Sequence, residues 1–192
     1  MTEPDKPTIF AAVLAAGQSQ RFGADDKLAQ PLHGTMLGHH ICDALIPAGC
    51  TFHHVISSSA DHPCVIGWRE RGFDVAVNPE AKDGMGTSVA IAAKLAIAAK
   101  ADALLICLAD MPFVSAAHLR SLIAGFNNRA SNDVVASHNG RAASPPAIFG
   151  RQHYSELVEL QGETGARSLL SRASTVTTGP EMLADIDTLQ QL

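Results

Sequence analysis

The run Leu14-Ala15-Ala16-Gly17-Gln18-Ser19-Gln20-Arg21-Phe22-Gly23-Ala24-Asp25-Asp26-Lys27 decides how this chain is read. It is preceded by Pro7 to Ala16, apolar without period-two alternation, which predicts a strand buried on both faces that stops at Gly17. Small residues and two glycines let the backbone of the run approach a ligand closely, its N–H groups can form an anion-binding nest, and Arg21 and Lys27 add full positive charge. That combination suits a polyphosphate. Two better-known glycine loops do not fit. The Gly-x-x-x-x-Gly-Lys-Ser/Thr pattern fails because Ala24 follows Gly23 and the lysine comes four residues after that glycine. The Gly-x-Gly-x-x-Gly pattern fails at Ser19, and again at Gly84-Met85-Gly86, where Val89 stands in the third glycine's place. A nicotinamide or flavin dinucleotide in its usual pose is thereby disfavoured.

Around this loop, short β-rich runs alternate with longer Ala/Leu-rich ones, the order that builds a parallel sheet with helices on both faces. Further strands are predicted at His54 to Ser58, Phe73 to Val77, Ala103 to Leu108, Asp133 to Ser137 and Ala147 to Phe149. Leu37 to Leu45 and Val89 to Ala99 carry apolar residues at helical spacing, the second with Thr87 or Ser88 as its N-cap. A further helix is expected to begin near Ser115, which suits its N-cap, and two more over Gln152 to Leu160 and Ala166 to Ser171, separated by Gly162 and Gly165. Pro145-Pro146 reads as the way into an edge strand. With 192 residues, no internal repeat and no low-complexity segment, residues 1–192 are read as a single α/β domain.

Composition narrows the function. Fourteen basic residues against nineteen acidic give a net charge of -5, so no general positive field exists to attract a nucleic acid. Aromatic residues make up only 5%, too few for a single-strand stacking platform. Val89 to Ala109 is the most apolar stretch, but Lys94, Lys100 and Asp102 interrupt it, which argues against a membrane span. Cys42, Cys50, Cys64 and Cys107 form no CxxC pair or zinc pattern and read as reduced thiols, and Met1 to Lys6 lacks signal-peptide character. A cytoplasmic protein is expected. Adjacent histidines, His39-His40 and His53-His54, point in different directions on any regular element and form no chelate by themselves.

Open α/β sheets bind ligands beyond the carboxyl ends of their strands, which draws attention to two more segments. Asp110 follows the buried strand Ala103 to Leu108 and offers a hard oxygen donor suited to Mg²⁺. Asn78 to Ser88 follows the third strand and leads into a helix; Gly84 and Gly86 permit close approach to a ribose or base, and the helix N-terminus favours an anion.

The Leu14 to Lys27 run resembles the signature L-A-A/G-G-x-S/x-x-R-M/F-G-x-x-K of nucleotidyltransferases related to the molybdenum-cofactor cytidylyltransferases and guanylyltransferases. The resemblance implies a Rossmann-like three-layer α/β/α domain with a mostly parallel sheet of the nucleotide-diphospho-sugar transferase type. It also implies Mg²⁺-dependent transfer of a nucleoside monophosphate from an NTP to a phosphorylated acceptor, with release of pyrophosphate. Leu14, Ala15, Ala16, Gly17, Ser19 and Gly23 then belong to the nucleotide site together with Asn78, Gly84, Gly86 and Ser88, and Arg21 and Lys27 act on the phosphates. Ala109-Asp110-Met111-Pro112-Phe113-Val114 is similar to the family's metal-binding L-x-D-M/Q-P-x-V. The ending Asp185-Ile186-Asp187-Thr188 is similar to D/N-I-D/N-T, which makes Asp185 a second metal candidate with Asp187 behind it; Leu189-Gln190-Gln191 replaces the family's Pro-Glu-Asp. Leu160 to Arg167 resembles L-x-G-D-x-G-A-R and points Arg167 at an acceptor phosphate.

Ala16 stands where the guanylyl-transferring branch usually carries glycine, which favours CTP over GTP. Molybdopterin is the acceptor that the resemblance implies, with a molybdoenzyme as recipient, although Arg141 to Phe149 departs from the R-G-H/N-P-V-x-F pattern of molybdopterin-directed members. Two other readings stand beside transfer: an NAD(P)H-dependent reductase, and a cofactor-binding chaperone that turns nothing over.

Overall fold

The computed structural model describes residues 6–17, 26–127, 133–162 and 166–188. Its elements, in chain order, begin with β1 (Ile9–Ala15), the short hairpin β2 (Pro31–Leu32) and β3 (Thr35–Met36), α1 (His40–Leu45), β4 (Phe52–Ser57), α2 (Val65–Glu70), β5 (Asp74–Val77) and α3 (Met85–Ala98). There follow β6 (Ala103–Leu108), α4 (Ala116–Asn127), β7 (Val134–His138), β8 (Ala143–Gly150), α5 (Tyr154–Val158), α6 (Arg167–Leu170) and β9 (Ser174–Thr177).

Seven strands form one sheet in the order β5-β4-β1-β6-β8-β7-β9. All pairs are parallel except the two that β8 makes, so β8 alone runs against the rest. The run Ile9-Phe10-Ala11-Ala12-Val13-Leu14-Ala15 is buried throughout because β1 lies at the centre with helices on both sides. Ile9, Ala11, Val13 and Ala15 join Leu37, Ile41, Leu45, Trp68, Leu119 and Phe126 on one face. Phe10, Ala12 and Leu14 join Val89, Ala92, Ala93, Ala96, Leu157 and Leu169 on the other. The architecture is therefore three-layered and α/β, as the sequence implies.

Position follows from chain order. After β1 the chain builds β4 and β5 on one flank, then crosses behind the sheet through α3 and returns as β6 on the opposite flank of β1. The carboxyl ends of the adjacent parallel strands β1 and β6 therefore lie side by side, at the end of the sheet where open α/β domains bind ligands.

Two local expectations are corrected. Helix α3 starts at Met85 with Gly84 as its N-cap, ahead of Thr87 and Ser88; the Thr87 hydroxyl instead reaches back 2.8 Å to the Gly84 carbonyl. Pro145-Pro146 lies within β8, an interior strand, and not on the way into an edge strand. It is tolerated there because the β7–β8 register shifts between Ala136 and Ser137, where ladder donors are not required, and the Ser137 hydroxyl donates to the Pro146 carbonyl at 2.7 Å. Helix α2 lies between two predicted strands, where a helix is expected, and edge strand β9 is an element that no sequence pattern marked, being four residues long and half-buried. Ser115 does cap α4, its hydroxyl accepting the His118 N–H at 3.2 Å.

Candidate active site

At the switch point the Ala109 N–H donates to the Leu14 carbonyl (3.1 Å), which carries the β1–β6 pairing one residue past Leu108 and delivers Asp110 beside the end of β1. The C-terminal segment is held to the same turn. Ile186 is buried and its N–H donates to the Asp110 carbonyl at 3.0 Å. Asp185 and Asp187 flank this anchor; Asp185 is exposed and Asp187 partly so.

Lys27 reaches this point from the far end of the β1 loop. It opens a 3-10 turn, Lys27–Ala29, in which Leu28 is buried in the core. The Lys27 side chain is only 11% exposed, and its Nζ donates to Asp110 Oδ2 at 2.9 Å and to Asp187 Oδ1 at 3.4 Å. Two carboxylates and one ammonium leave the cluster with one surplus negative charge. Asp110 and Asp187 remain 26% and 44% exposed, so both can reach a ligand there. Among the described residues no three His, Cys, Asp or Glu side chains converge on one metal position. Two carboxylates nevertheless match what Mg²⁺ takes from a protein when phosphate oxygens and water supply the rest.

The structure divides the remaining sequence candidates. Leu14, Ala15 and Ala16 are buried, at 8%, 2% and 4% exposure, so what they can offer a ligand is backbone. Gly17 is exposed, and among the described residues no atom lies within 4 Å of where its Cβ would sit. Ser19, Arg21 and Gly23 lie outside the described residues.

On the β5 side the polar groups serve one another. Asn78 is 1% exposed; its amide donates to Thr87 and Ser88 hydroxyls, both at 2.9 Å, and its side-chain oxygen accepts the Glu80 N–H at 2.9 Å. Asn78 and Ser88 thus lock the turn that begins α3. Gly84 has φ +105°, a conformation that requires glycine. Gly86 packs on the chain itself: a Cβ there would lie 2.7 Å from the Gln161 carbonyl carbon, and its N–H donates to Gly162 at 2.9 Å. The close approach that glycine permits at position 86 is to another backbone.

Beyond β7 and β8 a cavity of about 590 Å³ is lined by His138, Arg141, Ala143, Arg167 and Thr175 among others, with no carboxylate in its wall among the described residues. Arg167, expected on the acceptor side, belongs to it. The histidine pairs are parted as alternation requires: His53 packs on Phe73 and His54 stacks on Phe10, on opposite faces of the sheet. Cys42, Cys64 and Cys107 are buried and form no disulfide, and burial pushes the Cys64 thiol up to about 12, so none is a poised nucleophile. Asp26 and His62, which the sequence reading passed over, stand directly behind Lys27. Neither carries a motif; only the N-cap spacing Asp26-Lys27-Leu28 marked one of them.

A mostly parallel sheet with a lysine and two carboxylates gathered at the carboxyl ends of its central strands defines an open α/β domain with a candidate ligand site at that end. Residues 11–176 match the model of the MobA-like NTP transferase domain, and the chain belongs to that family. It is 29% identical over 181 residues to the purine catabolism protein PucB of Bacillus subtilis (strain 168), covering 85% of this chain and 81% of that one. It is 26% identical over 209 residues to the nicotine blue oxidoreductase of Paenarthrobacter nicotinovorans, covering 100% and 98% of the two chains. Among solved structures it resembles Rv0371c of Mycobacterium tuberculosis H37Rv, with a TM-score of 0.76 at 22% identity over 96% of this chain and 95% of that one. That protein has also been solved with manganese. No helix among the described residues is long and apolar enough to cross a membrane.

Proposed function

We propose that this nucleotidyltransferase-family protein moves CMP from CTP onto a phosphorylated acceptor, molybdopterin foremost, and releases pyrophosphate in a Mg²⁺-dependent reaction. The observation that carries the reading is the Lys27–Asp110–Asp187 cluster at the carboxyl ends of β1 and β6. The surplus negative charge of that cluster and its two accessible hard-oxygen donors fit a divalent cation held by Asp110 and Asp187, with Asp185 next to them. Bound there, such an ion would neutralise charge on the phosphates.

The acceptor phosphate is already a nucleophile. Its oxygen attacks the α-phosphorus in line, the new P–O bond forms as the bond to pyrophosphate breaks, and no side-chain nucleophile is needed. The chain's own part is positioning and charge: backbone N–H groups of the Gly17 loop with Arg21 on the β- and γ-phosphates, and the Lys27 ammonium at the α-phosphate. Arg141 and Arg167, which line the cavity beyond β7 and β8, suit the anionic end of the acceptor. The preference for CTP rests on Ala16, and for one methyl group it amounts to about 1–3 kcal/mol.

The test is pyrophosphate release with Mg²⁺, screened over CTP, GTP, UTP and ATP against molybdopterin-type and sugar-phosphate acceptors. Near-wild-type turnover in both Lys27→Ala and Asp110→Ala would exclude the mechanism. A second reading, NAD(P)H-dependent reduction, is favoured by the full-length likeness to an oxidoreductase. It predicts NAD(P)H oxidation without pyrophosphate. Tight cofactor binding with neither product would mark a carrier.

A further inference from the structure

Lys27 is gripped from behind as well as drawn forward to Asp110. Asp26 caps its turn, one carboxylate oxygen accepting the Leu28 N–H at 2.9 Å while the Asp26 carbonyl accepts the Ala29 N–H at 3.2 Å. The other carboxylate oxygen lies 2.8 Å from Nε2 of His62, which comes from the loop between β4 and α2. His62 is 8% exposed. Its Nδ1 accepts the Cys64 N–H at 3.1 Å, so the ring proton resides on Nε2 and is donated to Asp26; one neutral tautomer satisfies both contacts.

The ring itself cannot swing. It stacks on Trp68 with centroids 5.0 Å apart and planes 26° from parallel, and Trp68 is fully buried with its indole N–H on the Gly38 carbonyl at 2.8 Å. The same loop grips the turn a second time, where the Cys64 thiol donates to the Leu28 carbonyl at 3.2 Å. The His62 hydrogen bond holds the Asp26 carboxyl below the usual carboxylate range, against the opposing effect of partial burial.

We infer that His62, acting through Asp26, is a positioning residue for Lys27: it fixes the turn from which the ammonium reaches Asp110, and so ties the loop after β4 to the catalytic lysine. A lysine side chain has several rotatable bonds, and its ammonium can be placed only as well as the backbone it hangs from. Misplacement by about 1 Å costs on the order of 10²-fold in rate. The consequence for rate rests on the transfer reading; the placement of Lys27 does not.

The experiment therefore reads both. In protein labelled with ¹⁵N at lysine Nζ, the Lys27 ammonium, assigned through Lys27→Met, is expected as a slowly exchanging signal. His62→Leu is expected to shift or broaden it, whereas His62→Gln, which keeps a donor near the Nε2 position, retains it. Asp26→Ser keeps a cap for the Leu28 N–H but loses His62; it is expected to perturb the signal as His62→Leu does, and it carries the test if His62→Leu does not fold. Turnover should fall roughly 10-fold or more in His62→Leu and Asp26→Ser, with KM for the nucleotide changed far less, and recover in His62→Gln. An unperturbed ammonium signal in a folded Asp26→Ser variant overturns the inference. Perturbed signals in a protein that releases no pyrophosphate leave it standing and remove the transfer reading instead.

Discussion

Replacing Gly86 by alanine separates packing from ligand contact at one position. In an ordinary helix the change stabilises by about 1 kcal/mol, because glycine is the poorer helix former. Gly86 sits in the first turn of α3, where the added Cβ would lie 2.7, 2.8 and 2.9 Å from the carbonyl carbon, oxygen and Cα of Gln161. These are backbone atoms and cannot rotate aside. Relieving the overlap means parting α3 from the segment at Gln161–Gly162, at an overpacking cost of about 1–3 kcal/mol. It also stretches the Gly86 N–H to Gly162 bond of 2.9 Å, worth about 1 kcal/mol. Set against the helix gain, the net expectation is a loss of about 1–3 kcal/mol. For a chain of this size that lowers Tm by roughly 2–12 °C. Urea and thermal unfolding measure it. Gly17→Ala is the control: it meets no described atom within 4 Å, so it should leave Tm unchanged and act on nucleotide binding alone. A Gly86→Ala protein as stable as wild type, but with weaker nucleotide binding, would refute the packing argument and return Gly86 to the nucleotide site.

Other outcomes follow from the same contacts. Asp110→Asn, which removes the carboxylate charge that faces Lys27 and an anionic metal donor, should lower kcat about 10²–10³-fold; a change under 5-fold in pyrophosphate release, roughly 1 kcal/mol, would contradict it. Arg167→Ala should raise KM for the acceptor about 10–100-fold, the worth of a charge-assisted hydrogen bond, while KM for the nucleotide holds. His39, His53, His54 and His118 all lie below the ordinary histidine value because burial disfavours the imidazolium. The unfolded chain takes up those protons near pH 6.5 and the folded one does not. Stability is therefore complete above that pH and falls as pH drops below it, by at most about 1.4 kcal/mol per unit for each histidine. A urea midpoint that is the same at pH 5 and pH 7.5 would count against this.

The parts legible in the sequence are those where local pattern and tertiary role coincide. A strand buried on both faces must be apolar without alternation, and β1 and β6 read that way; Ala103–Leu108 is matched to the residue. Strand order sets their carboxyl ends side by side, which is why Lys27 and Asp110, far apart in the chain, meet in the candidate site. Helix α2, six residues long, is marked only by its place between two predicted strands, and the four residues of β9 offer too few alternations for a period to show. Pro145-Pro146 misled because proline normally excludes an interior strand, and only a register shift two strands from β1, invisible in one dimension, makes room for it.

The site shows a different limit. Residue type states which bonds a side chain can make, but not with whom it makes them. Asn78, Ser88 and Gly86 have the chemistry of nucleotide contacts, yet each is already engaged: the amide by two hydroxyls, the missing side chain by Gln161. Conversely Asp187, read as second to Asp185, lies 3.4 Å from the Lys27 ammonium, because the buried Ile186 beside it fixes which way the chain runs past Asp110. His62 lies in a loop that begins beyond another strand and shares no motif with Lys27. Its role depends on Trp68, Cys64 and Asp26 converging around one ring. In the proposed reaction the motif supplies the groups that meet the polyphosphate. The aim of Lys27 comes from residues outside the motif, and homologous lysines on differently buttressed turns need not share its rate or its dependence on the loop after β4.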